Sequence, residues 1–203
     1  EFIEDAIETL ENVVVKMQNL VNQLRQRNAS DKRSSINLVD ILKDVVKQQS
    51  GNFPKPQFIS EVEQAHIMGE QEKISAILGH LVQNAQDATD DDGSITLDLK
   101  VQDSNAIIKI IDTGTGMDNK FLSERLFKPF DTTKGNAGMG IGVYEAKSYI
   151  LKHSGTISVE SELGQGTTFT IKLPLCSISE NSNEIINNPE LTGNQISEAG
   201  ITS

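Results

Sequence analysis

Cysteine is nearly missing from this chain of 203 residues: Cys176 stands alone, so no internal disulfide can staple the fold, which is compatible with a reducing compartment. Long apolar runs are missing too. Nothing reaches the roughly 20 residues that span a bilayer, and no signal-peptide pattern opens the chain, so a soluble segment is expected. Basic residues are short of acidic ones, 18 Lys and Arg against 29 Asp and Glu, and the resulting net charge of −11 argues against a nucleic-acid surface. An anionic ligand would therefore need local help against an unfavourable global field. What remains is 36% hydrophobic residues, enough for one domain with a proper core plus appendages.

The chain is organised around residues 112–143, DTGTGMDNKFLSERLFKPFDTTKGNAGMGIGV. Ile107, Ile108, Ile110 and Ile111 form a short apolar run that reads as a buried strand and delivers Asp112 to its end. An ionised carboxylate only accepts hydrogen bonds, so Asp112 suits a partner that donates, such as the exocyclic amine of adenine. Gly114 and Gly116 permit positive φ and leave room for a planar ring near the main chain. At the far end Gly138, Gly140 and Gly142 alternate with Met139 and Ile141 and run into a helix with Val143, Ala146, Ile150 and Leu151 at helical spacing. A glycine-rich helix N-terminus suits phosphates, and Lys134 is the nearest basic residue in the loop. Glycine clusters alone are weak signals, because turns and packing contacts use them as well.

A third element adds weight. Glu72–Thr89 has an apolar stripe of Ile74, Ile77, Leu78, Leu81, Ala85 and Ala88, while His80, Asn84 and Asp87 fall at i, i+4 and i+7 on another face. Three polar side chains in register suggest a shared partner, and Mg²⁺, which needs only one or two protein oxygens, fits. An ordinary solvated helix face shows the same pattern.

These stretches, taken together, resemble the motifs of sensor histidine kinases. HLVQNAQDA resembles the asparagine box, DTGTGM the first glycine box, LFKPFDTTK the phenylalanine box and lid, GMGIGVYEAKSYI the second glycine box, and GQGTTFTIKLP the closing strand. The resemblance covers Ile36 to about Leu175. It implies the ATP-binding domain shared with gyrase, Hsp90 and MutL-type ATPases (the Bergerat fold), an α/β sandwich of a mixed sheet and about three helices. Carried over, it makes Asn84 the Mg²⁺ ligand, with Asp87 a turn further on, and Asp112 the residue that binds adenine N6. Thr167 would assist Asp112 through water and Met117 and Phe130 would border the nucleotide. Lys134 would reach the phosphates, which Gly138, Met139, Gly140, Ile141 and Gly142 would line. His80 holds the position at which hydrolytic relatives carry a water-activating Glu. A base, a group that orients a ligand and a plain surface residue are the three readings of it.

Residues 1–28 read as one long helix, with Ile3, Leu10, Met17 and Leu24 repeating every seven residues, and such a seam needs a partner. In the family this is the second helix of the dimerisation and phosphoacceptor hairpin, which implies a homodimer. Its wording is similar to kinases of the exosortase (PEP-CTERM) system, the PrsK type. Residues 29–35 read as a linker and 36–176 as the catalytic domain. Within it, Ile41, Leu42, Val45 and Val46 mark a helix, Pro54 and Pro56 a turn, and Gln57–Val62 a strand. Ser94–Val101 and Ala106–Asp112 read as a hairpin turning at Asp103–Asn105, and Thr156–Glu160 and Thr167–Leu173 as another turning at Gly164–Gly166. Phe127 and Phe130 read as anchors of a lid. Ser177–Ser203, with four Glu and no Lys or Arg, reads as a disordered acidic tail.

None of the three histidines has the setting of a phosphoacceptor. His66 reads as a surface residue, His153 as a helix-end residue favoured by the dipole, and the acceptor is expected upstream of Glu1. The resemblance thus implies a kinase core that passes the γ-phosphoryl of ATP to that histidine and then to an aspartate on a response regulator receiver domain. It also implies the cytoplasmic portion of a membrane-anchored protein. An ATPase or serine kinase on the same fold, or a nucleotide-binding dimer scaffold without transfer, are the alternatives.

Overall fold

The computed structural model describes residues 33–129 and 141–176. The expected N-terminal helix, the loop residues 130–140 and the tail from Ser177 lie outside the described residues. The elements are β1 (Ser34–Asn37), α1 (Leu38–Gln49), β2 (Pro56–Ser60), β3 (His66–Gly69), α2 (Gln71–Ala88), β4 (Ile95–Gln102) and β5 (Asn105–Asp112), followed by α3 (Asn119–Glu124), α4 (Gly142–Lys152), β6 (Thr156–Glu162) and β7 (Gly166–Pro174).

Five strands make one mixed sheet in the order β2-β4-β5-β7-β6, with β2 parallel to β4 and every other pair antiparallel. Side chains alternate across a strand, so one row of each central strand meets the helices. Ile95, Leu97 and Leu99 of β4, Ile108 and Ile110 of β5 and Ile171 of β7 are buried there. Leu38 and Leu42 of α1, Leu78 and Leu81 of α2 and Ile150 of α4 complete the core from the other side. Full burial of each such side chain contributes about 1.5–3 kcal/mol. The expected α/β sandwich is therefore present, with α1, α2 and α4 as its helical layer.

The two expected hairpins form, with Gln102 opposite Asn105 and Glu162 opposite Gly166 at their turns. Asp103 and Ser104 both take positive φ, 49° and 60°, the geometry of a two-residue hairpin turn whose twist matches its strands. Gly164 does the equivalent between β6 and β7 at φ 76°.

Several expectations are corrected. The isoleucine run of β5 is not buried on both faces, since Ile107 and Ile111 are only half-buried beside an exposed Lys109. Leu151 lies outside the core, 55% exposed, because the inward stripe of α4 is Ala146, Tyr149 and Ile150. The short α3, capped by the Asp118 side chain on the N–H of Phe121, occupies a stretch read as loop. β1 starts at Ser34, inside the stretch read as linker, and pairs antiparallel with β3, which the sequence reading did not anticipate.

Candidate functional site

Strand pairing creates the floor of the site. Asp112 is the last residue of β5 and stands opposite Thr167 of β7, and both side chains face the helical layer, 5% and 7% exposed. Oδ1 of Asp112 accepts from the backbone N–H of Gly114 at 2.9 Å and from that of Thr167 at 3.1 Å. Both amide bonds fall on one oxygen, so Oδ2 is the atom left to address a ligand. Burial pushes the Asp112 carboxyl above its ordinary range, partly countered by those two amides. Thr167 also bonds Asp112 directly through its amide, and its hydroxyl lies 2.9 Å from that of Ser161.

The loop after β5 is held by close backbone approaches. A Cβ on Gly114 would sit 2.3 Å from the carbonyl oxygen of Ala88, and one on Gly116, at φ 66°, would come within 2.0 Å of the carbonyl oxygen of Glu162. Next to them Thr115 donates to the Ala88 carbonyl at 2.9 Å, and Gly164 donates to the Thr115 carbonyl at 2.8 Å. On the side a Cβ would occupy, the space these two glycines provide is thus taken by the chain's own backbone, which leaves the opposite side of the main chain for a ring. Their role is to wedge the loop between the end of α2 and the β6–β7 hairpin. Met117, half-buried against the core, emerges from this wedge.

α2 carries the polar face. Asn84 is half-buried, whereas His80 and Asp87 are exposed. Asp87 accepts from Nε2 of Gln83 at 2.8 Å, one turn back. Asn84 offers a hard carboxamide oxygen, the donor type that Mg²⁺ takes, while among the described residues no cluster of three or more His, Cys, Asp or Glu could hold a metal. A cation held here would lean on Asn84 and on ligand oxygens. α4 begins at Gly142 with Ile141 as its N-cap, and among the described residues no side chain caps it, so its N-terminal dipole is positive there. His80 is the neighbour of that end, because a Cβ on Gly142 would lie 3.6 Å from the Cβ of His80 and 3.8 Å from its Nδ1. Two elements far apart in sequence therefore bring an imidazole to a helix N-terminus.

Of the sequence-selected residues, Asp112, Gly114, Gly116, Met117 and Thr167 meet at one end of the sheet, and His80, Ile141 and Gly142 meet between α2 and α4. Phe130, Lys134, Gly138, Met139 and Gly140 lie outside the described residues. Phe127, the other expected lid anchor, is half-buried with Lys147 Nζ 4.3 Å from its ring centre.

Sequence reasoning missed two groups. Ser161 Oγ accepts from the Met117 N–H at 2.9 Å and donates to the Gly166 carbonyl at 2.8 Å. A serine in a strand carries no pattern that announces this. The second group surrounds Glu70, whose N–H donates to the Tyr149 hydroxyl at 3.1 Å while its Oε2 accepts from it at 3.0 Å. His153 stacks on Tyr149 and is buried; its Nδ1–H donates to the Tyr149 carbonyl at 2.8 Å, and its Nε2 lies 3.2 Å from Glu70 Oε2 without a hydrogen bond between them. The GE dipeptide ahead of α2 and the YILKH run were the available signals.

Residues 69–177 match the model of the family described as histidine kinase-, DNA gyrase B- and HSP90-like ATPase. The sensor protein SrrB of Staphylococcus aureus (strain NCTC 8325 / PS 47) is 32% identical over 141 residues, 68% of this chain and 24% of SrrB. Full-length ShkA, solved in complex with AMPPNP, aligns with a TM-score of 0.65 at 21% identity, covering 73% of this chain and 32% of that one. The histidine kinase ThkA, solved with the response regulator TrrA, aligns with a TM-score of 0.64 at 20% identity over 86% of this chain and 52% of that one. The chain spans about a fifth to a quarter of the length of the curated relatives it matches. None of these names bears on the narrower exosortase-associated grouping. A family match over more than half of the residues, on a fold that the solved kinases share, means that the chain belongs to the histidine kinase-, DNA gyrase B- and HSP90-like ATPases.

Proposed function

We propose that this chain is the ATP-binding core of a two-component sensor histidine kinase. The observation that carries the reading is Asp112: a buried carboxylate at a strand end, anchored through one oxygen by two backbone amides, with the other oxygen left for a donor such as the 6-amino group of adenine. Met117 packs beside the base and Thr167 flanks Asp112. The triphosphate runs toward the N-terminus of α4, where the amides of the Gly138–Gly142 segment and Lys134 meet its charge, and Phe130 closes over it. Mg²⁺ supplies neutralisation of the phosphate charge, and the side-chain oxygen of Asn84 holds it, with Asp87 one turn beyond. His80, at the same helix end, orients the phosphate groups. Phosphoryl transfer is mostly positioning and charge neutralisation, which these groups provide.

The γ-phosphoryl then goes to a histidine on the partner helix of the N-terminal segment, in a homodimer, and on to a response regulator aspartate. Support for the regulator comes from ThkA, solved with one, and for the nucleotide from ShkA with AMPPNP. Anchoring of the whole protein to a membrane rests on the resemblance to sensor kinases, and no described helix is long and apolar enough to cross one.

Calorimetry with Mg²⁺ and ATP, followed by addition of the missing hairpin in trans, tests the reading. Nucleotide binding and acid-labile phosphate on the hairpin are expected, with no histidine labelling of residues 1–203 alone. ATP turnover without the hairpin would indicate a hydrolase, acid-stable phosphate a serine kinase, and binding without transfer a nucleotide-dependent scaffold.

A further inference from the structure

The hydroxyl of Ser161 sits at a junction that the nucleotide reading does not use. Four groups meet there: the Met117 N–H at 2.9 Å, the Gly166 carbonyl at 2.8 Å, the Thr167 hydroxyl at 2.9 Å and Ser161 itself. A hydroxyl has one proton to give and two lone pairs to offer. The Gly166 carbonyl can only accept, so the Ser161 proton goes to it. The Met117 N–H can only donate, so it takes one lone pair. The remaining contact is satisfied when Thr167 donates its proton to the second lone pair of Ser161. Every donor and acceptor at the junction is then paired, as partly buried polar groups require.

The consequence falls on Thr167. With its only proton turned toward Ser161, its oxygen presents nothing but lone pairs on its other side. Thr167 stands directly across the ladder from Asp112 and shares its face of the sheet. The two side chains together therefore form a surface that only accepts.

We propose that Ser161 is a specificity-determining positioning residue: by taking the Thr167 proton it fixes the hydrogen-bond polarity of the base pocket and selects purines with a 6-amino group over those with a 6-oxo group. The inference rests on the adenine reading above and adds a residue that never touches the base. Adenine donates at position 6, whereas hypoxanthine and guanine accept there, so an all-acceptor surface attracts the first and repels the others. Without the Ser161 hydroxyl, the Thr167 proton is free to rotate into the pocket and meet a 6-oxo group.

ATP and inosine triphosphate differ at this edge of the base and share their ribose and phosphates, so the ratio of their dissociation constants isolates the effect. Calorimetry on the 203-residue chain with Mg²⁺ should show wild type preferring ATP. Ser161→Ala should narrow that preference by about fivefold, the worth of one neutral hydrogen bond. Ser161→Thr, which keeps the hydroxyl, should restore it. Thr167→Val deletes the acceptor that Ser161 orients and should narrow the ratio from the other side, by weakening ATP alone, also where Ser161→Ala does not fold. Equal weakening of both nucleotides in Ser161→Ala, or an unchanged ratio in Thr167→Val, would reduce Ser161 to a structural tie and overturn the proposal. No ATP binding by the wild type would instead remove the nucleotide reading, and this inference with it.

Discussion

Asp112 shows what a single residue gives up for a site. Its carboxyl is pushed above its ordinary range by burial, and the amides of Gly114 and Thr167 recover only part of that loss. Below the ordinary range the group is neutral both folded and unfolded, and its ionisation affects stability not at all. As pH rises through the window between the ordinary value and the raised folded one, the unfolded chain releases its proton first, and the fold loses stability. Asp112→Asn keeps an acceptor for both amides and removes the charge. Melting curves from pH 4 to 7 should therefore show the variant equal to or more stable than wild type near neutrality, the gap closing toward acid. Binding should move the other way: an amide donor facing the 6-amino group of adenine should weaken ATP by about 10- to 100-fold. A variant that lost stability at pH 7 and kept its ATP affinity would mean that the carboxylate is structural. Asp112 was legible in the sequence because an acidic residue ending an apolar strand run is conspicuous. Ser161 was not, since its role depends on which backbone groups the β6–β7 hairpin brings beside the glycine loop, a register that no local pattern encodes.

Elements were legible where one face packs, and less so where an end is tied down. The apolar stripe of α2 is as its spacing predicts, apart from Ala88, whose main contribution is a backbone carbonyl. α4 is different. Its inward residues include Tyr149, which joins Glu70 ahead of α2, and His153, read from sequence as an end residue answering the dipole, is buried in the same cluster. Gly69 leaves the space for it, as a Cβ there would lie 2.9 Å from the Tyr149 hydroxyl. Burial pushes the Glu70 carboxyl up, but hydrogen bonds from Tyr149 and Lys73 and the nearby charges of Lys73 and His153 outweigh it and hold the group below its ordinary range. Its contribution is therefore fully present above the ordinary carboxylate range and is lost as pH falls through the lowered folded value. Tyr149→Phe removes the hydroxyl from both the N–H and the carboxylate of Glu70, and at neutral pH it should cost about 1–3 kcal/mol. Denaturant melts at pH 7 and pH 3 should show the larger loss at pH 7. An equal loss at both would assign the cost to packing rather than to the ionised carboxylate.

At the scale of the whole molecule, the proposed nucleotide would draw on parts that come from separate elements of the fold. On the proposed reading the base end would belong to β5, β7 and the wedged loop, the metal to the polar face of α2, and the phosphates to the start of α4, all on a chain with net charge −11. Such a field disfavours a polyphosphate, so most of the attraction has to be local: helix N–H groups, one lysine and the cation. The five motifs were readable in order, yet the wedge at Gly114 and Gly116 was not, since a glycine looks the same whether a ring or a carbonyl approaches it. A ligand that binds only the folded state stabilises it by about 2.7 kcal/mol at 100 times its dissociation constant. For a domain of this size that should raise the melting temperature by about 5–10 °C. With ATP and Mg²⁺ together the full shift should appear. Chelating the metal at the same ATP concentration should remove most of it, because the triphosphate then meets the acidic chain without its neutralising partner. Asn84→Ala should resemble the chelated wild type. If the shift survived chelation intact, the polar face of α2 would be no more than a solvated surface, and the phosphates would owe their binding to α4 and the loop alone.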